Sequence, residues 1–179
     1  MSRITFRASA YEVKVPATSA NLGPGFDCFA LALEKRDRYI AQVIDEKELD
    51  LDVVGEGADE VPRDEKNLLV KSIYKGWEFL GLSKKEYPGL ALRALNNLPH
   101  GRGLGSSASA IIGGLILARS LVVGGVDRMN DNDVLTLATE MEGHPDNVAA
   151  ALHGGAVISW SGNEFADAIK LEEIGRAHV

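Results

Sequence analysis

Pro99-His-Gly-Arg-Gly-Leu-Gly-Ser-Ser-Ala-Ser-Ala110 is the stretch on which the fold prediction depends, because it joins a short apolar segment to a long one. Gly101, Gly103 and Gly105 let the backbone take conformations closed to other residues and approach a ligand closely. Ser106 and Ser107 then open a predicted helix. Unpaired N–H groups and the positive end of the helix dipole lie at such a start and favour an anion. The stretch therefore predicts a phosphate-binding loop.

Two well-known glycine loops do not fit this stretch. A Walker loop requires a lysine after its last glycine, and none follows Gly105. The dinucleotide fingerprint requires a third glycine at the position that Ser106 occupies. A serine-capped turn between a strand and a helix is the purely structural alternative. Two adjacent serines after three glycines favour phosphate binding over that alternative.

The composition is that of one globular domain. The chain has 179 residues, of which 45% are hydrophobic and 25% charged. Its net charge of −7 argues against nucleic acid or an anionic membrane as the main partner. The single cysteine, Cys28, allows no internal disulfide and fits a reducing compartment. Since neither a long apolar segment nor a secretory signal is found, we expect a cytoplasmic protein.

The apolar pattern predicts an α+β fold, with helices packed on a mixed, largely antiparallel sheet. We expect strands at residues 11–15, ended by Pro16, and at residues 26–33, 39–44, 49–54, 89–95 and 154–160. Helices are predicted at residues 67–80 and 106–123, and a third is expected to be capped by Asp131 or Asn132. A short helix is expected to follow Pro145. Segments 16–25, 55–66 and 124–131 are predicted to be loops or turns.

Three ordered motifs resemble those of the GHMP kinases, the small-molecule kinases of galactose, homoserine, mevalonate and phosphomevalonate. The first is the loop described above. The others are Pro16-Ala-Thr-Ser-Ala-Asn-Leu-Gly-Pro-Gly-Phe-Asp27 and Glu142-Gly-His-Pro-Asp-Asn-Val-Ala149, which resemble homoserine kinases in particular. The likeness runs from about Tyr11 to about Ser159 and covers the N-terminal portion of a homoserine kinase.

This resemblance implies the N-terminal fold of the GHMP kinases, including an unusual left-handed β-α-β connection. It places the ATP-binding domain at residues 1–165. Residues 166–179 are expected to be a truncated or non-native tail, because Ile174 to Val179 match nothing in the family. The C-terminal ferredoxin-like domain is expected to be absent.

The activity that the resemblance implies is phosphorylation of the side-chain hydroxyl of L-homoserine by ATP with Mg²⁺, giving O-phospho-L-homoserine in threonine biosynthesis. Two alternatives stay open: a nucleotide-binding fragment without activity, and a kinase of another small alcohol such as mevalonate. The expected partner is the small molecule homoserine, not nucleic acid or a membrane. A homodimer is also left open.

Nucleotide and metal contacts follow from the resemblance. Nucleotide binding is assigned to Pro99, Gly101, Gly103, Leu104, Gly105, Ser106, Ser107, Ala108, Ser109 and Asn67, the last of which is equally well explained as a helix N-cap. The metal ligands are expected to be the Ser107 hydroxyl and Glu140, with Glu142 as the alternative. Residues two apart on a helix point about 200° apart, so at most one of the two glutamates faces the site.

The substrate residues are assigned in the same way. Asn21 and Asp27 match positions that contact the amino acid, where a carboxylate can pair with the α-ammonium and an amide can donate or accept. On the residues alone, Asn21 would be a turn residue and Asp27 a surface charge. His144 and Asn147 match the catalytic pocket where the substrate hydroxyl meets the γ-phosphate. We expect His144 to bind substrate and Asn147 to position it, because phosphoryl transfer requires no strong base.

Overall fold

The computed structural model describes residues 4–163 and 165–172. Its strands and α-helices, in chain order, are β1 (Tyr11–Ala20), β2 (Phe29–Ile44), β3 (Leu49–Gly55), α1 (Leu68–Phe79), β4 (Gly89–Asn96), α2 (Ser106–Ser120), α3 (Gly125–Arg128), α4 (Asp131–Glu142), α5 (Asp146–His153), β5 (Ala156–Ser161) and β6 (Ala166–Lys170). The predicted α+β fold is confirmed.

The long strand β2 is the centre of the sheet. It pairs with β1 in antiparallel fashion along one edge. The first part of its other edge pairs with β5 and the later part with β4, both also antiparallel. β3 runs parallel to β4, and α1 lies between them in the chain. The handedness of the β-α-β connection stays a prediction.

The core lies between this sheet and α2, which is buried on most of its surface as its composition indicates. α2 packs against α1, β1 and α4. Trp77 of α1 is fully buried, and its Nε1–H donates to the carbonyl oxygen of Ala118 at 3.2 Å. This packing makes α2 a rigid support for the loop that precedes it.

The strand predictions need two corrections. β1 does not end at Pro16 but continues to Ala20. Among the described strands β1 pairs with β2 alone, and its register shifts between Pro16 and Thr18, so a missing proline N–H is tolerated there. The predicted strands at 26–33 and 39–44 belong to one strand, because Arg36, Asp37 and Arg38 between them pair with β1.

Two further details differ from the sequence predictions. The cap of α4 is Asn130, whose Oδ1 accepts hydrogen bonds from the N–H groups of Asn132 and Asp133 at 2.8 and 3.1 Å. The predicted turn before it contains the short helix α3. Residues 166–170, assigned above to the tail, form β6 and pair with β5. The tail segment Ile174 to Val179 lies outside the described residues.

Across residues 4–163 and 165–172, we find no helix with the length and apolar character needed to cross a membrane.

We expect Gly114→Ala to destabilise the fold. A Cβ at Gly114 would lie 2.5 Å from the Ser72 Cβ and 2.6 Å from the backbone carbonyl oxygen of Leu69. Overpacking of this kind costs roughly 1–3 kcal/mol, which exceeds the gain of about 1 kcal/mol or less from alanine's helix propensity. Urea denaturation should show a net loss of about 1–2 kcal/mol. Ser120→Ala in the same helix is the control, and an equal effect of the two changes would contradict the packing argument.

Candidate active site

The glycine-rich loop connects β4 to α2. Gly101, Gly103 and Gly105 all have positive φ angles, of 64°, 68° and 66°. Gly105 is also the N-cap of α2, and no side chain of the described residues caps this helix. Within residues 4–163 and 165–172, the start of this buried helix therefore presents backbone donors that no side chain binds. Such a helix start suits a phosphate group.

Thr18 of β1 holds this loop in place. Its backbone N–H donates to the carbonyl oxygen of Leu104 at 3.1 Å. Gly105 approaches so closely that any Cβ there would overlap the Thr18 Oγ1. The Thr18 hydroxyl is fully buried and donates to Asn147 Oδ1 at 2.7 Å. One threonine thus brings the three sequence motifs together.

The entrance of the loop is held by a second buried side chain. Asp37 Oδ1 accepts hydrogen bonds from the backbone N–H groups of Asn97 and Leu98 at 2.7 and 2.9 Å. Its Oδ2 accepts from the hydroxyl of Tyr39, which lies 3.0 Å from Ser109 Oγ. Burial, and next the negative charge of Asp37, raise the pKa of Tyr39 well above its ordinary value. The Tyr39 hydroxyl therefore stays protonated and donates a hydrogen bond to Asp37.

Some of the predicted nucleotide-binding residues have buried side chains, whereas others line a cavity. The side chains of Ala108 and Ser109 are fully buried, and Ser109 contacts Tyr39, so these positions offer a ligand only their backbone. Ser106, Ser107 and Asn67 line a cavity of ≈ 290 Å³ beside the loop. The remaining wall of this cavity is largely apolar and includes Val53, Val61, Leu68, Leu69, Ala94 and Ala110.

Asn67 has the predicted N-cap role. Its Oδ1 accepts a hydrogen bond from the backbone N–H of Leu69 at 3.0 Å, which caps α1. Its Nδ2 donates to the carbonyl oxygen of Pro62 at 2.8 Å. The amide is thus bonded at both ends, and its contribution to the cavity is to shape the wall.

The structure does not bring together the expected metal ligands Ser107 and Glu140. The Ser107 hydroxyl donates instead to Glu142 Oε1 at 2.6 Å. The carboxylate of Glu140 pairs with Lys75 Nζ at 3.3 Å. The physical reason is helical geometry, since these glutamates are two residues apart and point in different directions. Both atoms of the Ser107–Glu142 pair are oxygens, the ligands that Mg²⁺ prefers.

The expected substrate residues Asp27 and His144 do lie close together. One carboxylate oxygen of Asp27, one ring nitrogen of His144 and one carboxylate oxygen of Asp146 lie within 4.8 Å of one another. Asn21 accepts from the backbone N–H of Asp27 at 2.9 Å, so its side chain shapes the loop that carries Asp27. Both of these loop residues have positive φ angles, of 57° and 54°.

Two residues of this site were not singled out by the sequence analysis. Thr18 was part of a quoted motif, but nothing in the local pattern distinguished its hydroxyl from those of its neighbours. Asp146 was likewise quoted only as part of a motif, yet it is fully buried and 2.6 Å from His144 Nδ1. The signal for Asp146 was available, because it stands between two predicted site residues.

Comparison with known proteins agrees with this geometry. Residues 67–155 match the family model described as GHMP kinases N terminal domain. This region of the chain is therefore a GHMP kinase N-terminal domain, as predicted.

Within that family, the chain matches several homoserine kinases at about one half identity. It is 49% identical over 172 residues to a homoserine kinase of Streptomyces coelicolor, a match that covers 96% of this chain and 54% of the relative. It is 47% identical over 148 residues to one of Mycobacterium tuberculosis, covering 82% and 46%. The chain corresponds to their N-terminal portion and spans about half the length of these curated relatives.

Solved structures of homoserine and mevalonate kinases have a similar fold. The homoserine kinase structure from Cytophaga hutchinsonii has a TM-score of 0.77 and 30% identity, covering 96% of this chain and 54% of that one. The mevalonate kinase of Methanococcus jannaschii has a TM-score of 0.64 at 18% identity, covering 93% and 57%. At that identity the second likeness shows the fold alone.

We expect Thr18→Val to destabilise the protein, although it keeps the shape of the side chain. The change leaves Asn147 Oδ1 without its buried donor, which costs roughly 1–3 kcal/mol. Thr139→Val is a matched control, because the Thr139 hydroxyl donates to a carbonyl oxygen of its own helix, that of Leu135. Its effect should stay below about 0.5 kcal/mol. Thermal or urea unfolding measures both, and equal losses would show that Thr18 is an ordinary buried hydroxyl.

Proposed function

We propose that this chain acts in the phosphorylation of the side-chain hydroxyl of L-homoserine by ATP, which yields O-phospho-L-homoserine. The observation that carries the proposal is that the glycine-rich loop meets Asn147 at Thr18, while Asp146, next to Asn147 in the chain, lies beside His144 and Asp27. One arrangement supplies an anion site and, next to it, polar side chains for a small substrate. The identity of about one half to homoserine kinases supports the choice of substrate.

The nucleotide would bind across the loop and the adjoining cavity. Its phosphates would lie on the glycine-rich loop and the uncapped start of α2, where backbone donors are available. The largely apolar cavity beside Asn67 would take the base, since such a wall suits a flat aromatic group. Both parts share Ser106 and Ser107, so the phosphates and the base would bind on either side of these serines.

Mg²⁺ would be held by Ser107 and Glu142. Their oxygens already lie 2.6 Å apart, and a carboxylate with a hydroxyl is a suitable partial ligand set for an ion that also binds phosphate oxygens. When bound, Mg²⁺ neutralises charge on the transferring phosphate. Glu140 is replaced in this assignment by Glu142, because Glu140 faces Lys75.

The substrate amino acid would lie between Asp27 and the start of α2. The Asp27 carboxylate would pair with its α-ammonium, and His144 lies next to Asp27. Asn147 adjoins the phosphate loop, because a Cβ at Gly105 would lie 3.3 Å from Asn147 Oδ1. Asn147 would therefore orient the substrate hydroxyl toward the γ-phosphate. The hydroxyl oxygen would then bond to the γ-phosphorus as the bond from that phosphorus to the ADP oxygen breaks, and the hydroxyl proton would pass to a phosphate oxygen or to water. Alignment and charge neutralisation would carry most of the rate.

The proposed reaction belongs to threonine biosynthesis, and we propose the cytoplasm as its location. Nucleotide binding without turnover is the second candidate, because the chain spans about half the length of its relatives. A mevalonate substrate has less support, since the mevalonate kinase structures are only 18% and 15% identical to this chain.

Release of ADP from Mg-ATP tests the proposal. The chain is incubated with homoserine, threonine, mevalonate or galactose, and with no acceptor. We expect homoserine alone to raise the rate. Mevalonate and galactose lack the ammonium group that would pair with Asp27, and threonine carries its hydroxyl on Cβ, one bond nearer to that group, out of line with the γ-phosphate. A rate raised by mevalonate or galactose alone would exclude the proposed substrate. Tight binding of ATP with no acceptor-dependent release would support the second candidate.

The two glutamates of α4 allow a matched test of the metal site. We expect Glu142→Gln to weaken Mg²⁺ binding in the presence of ATP by roughly tenfold to a hundredfold, because it removes a charged ligand. Glu140→Gln removes the same charge two residues away and should change the affinity by less than about twofold. Calorimetric titration of Mg²⁺ into the ATP complex measures both. The reverse order of effects would return the ligand role to Glu140.

A further inference from the structure

Asp146 is a carboxylate in an unusual position. It is fully buried at the first residue of α5, and its Oδ1 accepts from the backbone N–H of Asn147 at 2.6 Å. Its Oδ2 is also buried and has no hydrogen-bond partner among the described residues. Burying a carboxylate with one oxygen unpaired costs free energy, so a simple helix-start role is a poor explanation.

The ordinary arrangement is seen at the start of α4. Asp131 occupies the same first position of its helix, but its side chain is 57% exposed and pairs with Arg119 at 2.7 Å. An aspartate can therefore serve a helix start in this protein without being buried. The burial of Asp146 has to be explained by its own surroundings: its Oδ1 contacts His144 and Asn147, and a carboxylate oxygen of Asp27 lies within 4.8 Å.

The contact with His144 determines which ring nitrogen carries the proton. His144 Nδ1 lies 2.6 Å from Asp146 Oδ1. The same Oδ1 already accepts the backbone N–H of Asn147, so this oxygen acts as an acceptor toward His144 as well, and Nδ1 carries the proton and donates the hydrogen bond. In the neutral ring, Nε2 is then left as an acceptor. Asp146 thus sets the hydrogen-bonding character of the ring that lies beside Asp27.

The contact with Asn147 fixes a second side chain. Asp146 Oδ1 receives the backbone N–H of Asn147 and lies 3.4 Å from its Nδ2. On the other side, Asn147 Oδ1 accepts from the Thr18 hydroxyl at 2.7 Å. The amide is therefore oriented from both ends, with its oxygen toward Thr18 and its nitrogen toward Asp146.

We propose that Asp146 is a positioning residue for phosphoryl transfer, which holds His144 with its proton on Nδ1 and fixes the amide of Asn147. Its full burial excludes direct contact with substrate, so it acts through these two side chains. The role in phosphoryl transfer rests on the proposed function, whereas the state of His144 does not.

Nitrogen-15 NMR of the histidine rings tests the first part without any need for turnover. The sequence has four histidines, so the His144 signal is assigned by its loss in His144→Gln. Spectra are recorded at increasing pH until the ring signals stop shifting, so that the neutral forms are compared. We expect the Nδ1–H form to dominate in the unmodified chain. A dominant Nε2–H form would overturn the proposal.

Two variants and a control sharpen this measurement. Asp146→Ala should shift His144 to the mixture of tautomers shown by a free imidazole. Asp146→Asn should retain the Nδ1–H form, because the backbone N–H of Asn147 selects an oxygen at the Oδ1 position. Asp131→Ala removes the equivalent aspartate of α4 and should change nothing at His144. If Asp146→Ala does not fold, the spectra of the unmodified chain and of Asp146→Asn test the proposal by themselves. Loss of the Nδ1–H form in Asp146→Asn would overturn it.

Kinetics test the second part in a chain that turns over. Asp146→Ala should lower kcat by roughly tenfold to a hundredfold through misalignment, with little change in the KM for ATP. An unchanged kcat would overturn the positioning role. A chain with the Nδ1–H form but no turnover with any acceptor would contradict the proposed function alone, so the two failures are distinguishable.

Discussion

The close approach of Thr18 to Gly105 is the constraint on which the rest of the site depends. There is room for this contact only because residue 105 has no side chain, and the Thr18 hydroxyl is then free to reach Asn147. A larger residue on either side would separate the glycine-rich loop from the segment that carries His144. A single residue of the sheet, Thr18, thus contacts both the glycine-rich loop and α5.

Buried polar groups support the loop at both of its ends. Asp37 holds the backbone at its entrance, while Thr18 holds the backbone at its exit. Because each of these groups is enclosed, its hydrogen bonds compete little with water and keep a defined geometry. The glycines allow the unusual backbone conformation of the loop, and these hydrogen bonds at its two ends keep that conformation fixed.

The sequence predicted those features whose signals are local. The strand β3, the cap at Asn67 and the start of α2 each follow from a few neighbouring residues. The errors arose where distant partners decide. The strand β1 passes Pro16 because β2 pairs beside it, and Glu142 rather than Glu140 meets Ser107 across 35 positions of the chain. Thr18 and Asp146 were not singled out as residues of the candidate site, nor Asp37 as a support of the loop, since their burial is a property of the assembled fold.

The hydrogen bond between Thr18 and Asn147 also affects how the chain folds while the ribosome synthesises it. These residues are 129 positions apart, near the two ends of the described chain. Contacts of such long range form late, because the chain between them has to be ordered first. During translation the glycine-rich loop and α2 leave the ribosome well before Asn147 does, and domains fold largely as units. The nascent chain therefore carries the complete glycine-rich loop for some time before Asn147 is available to join it to α5.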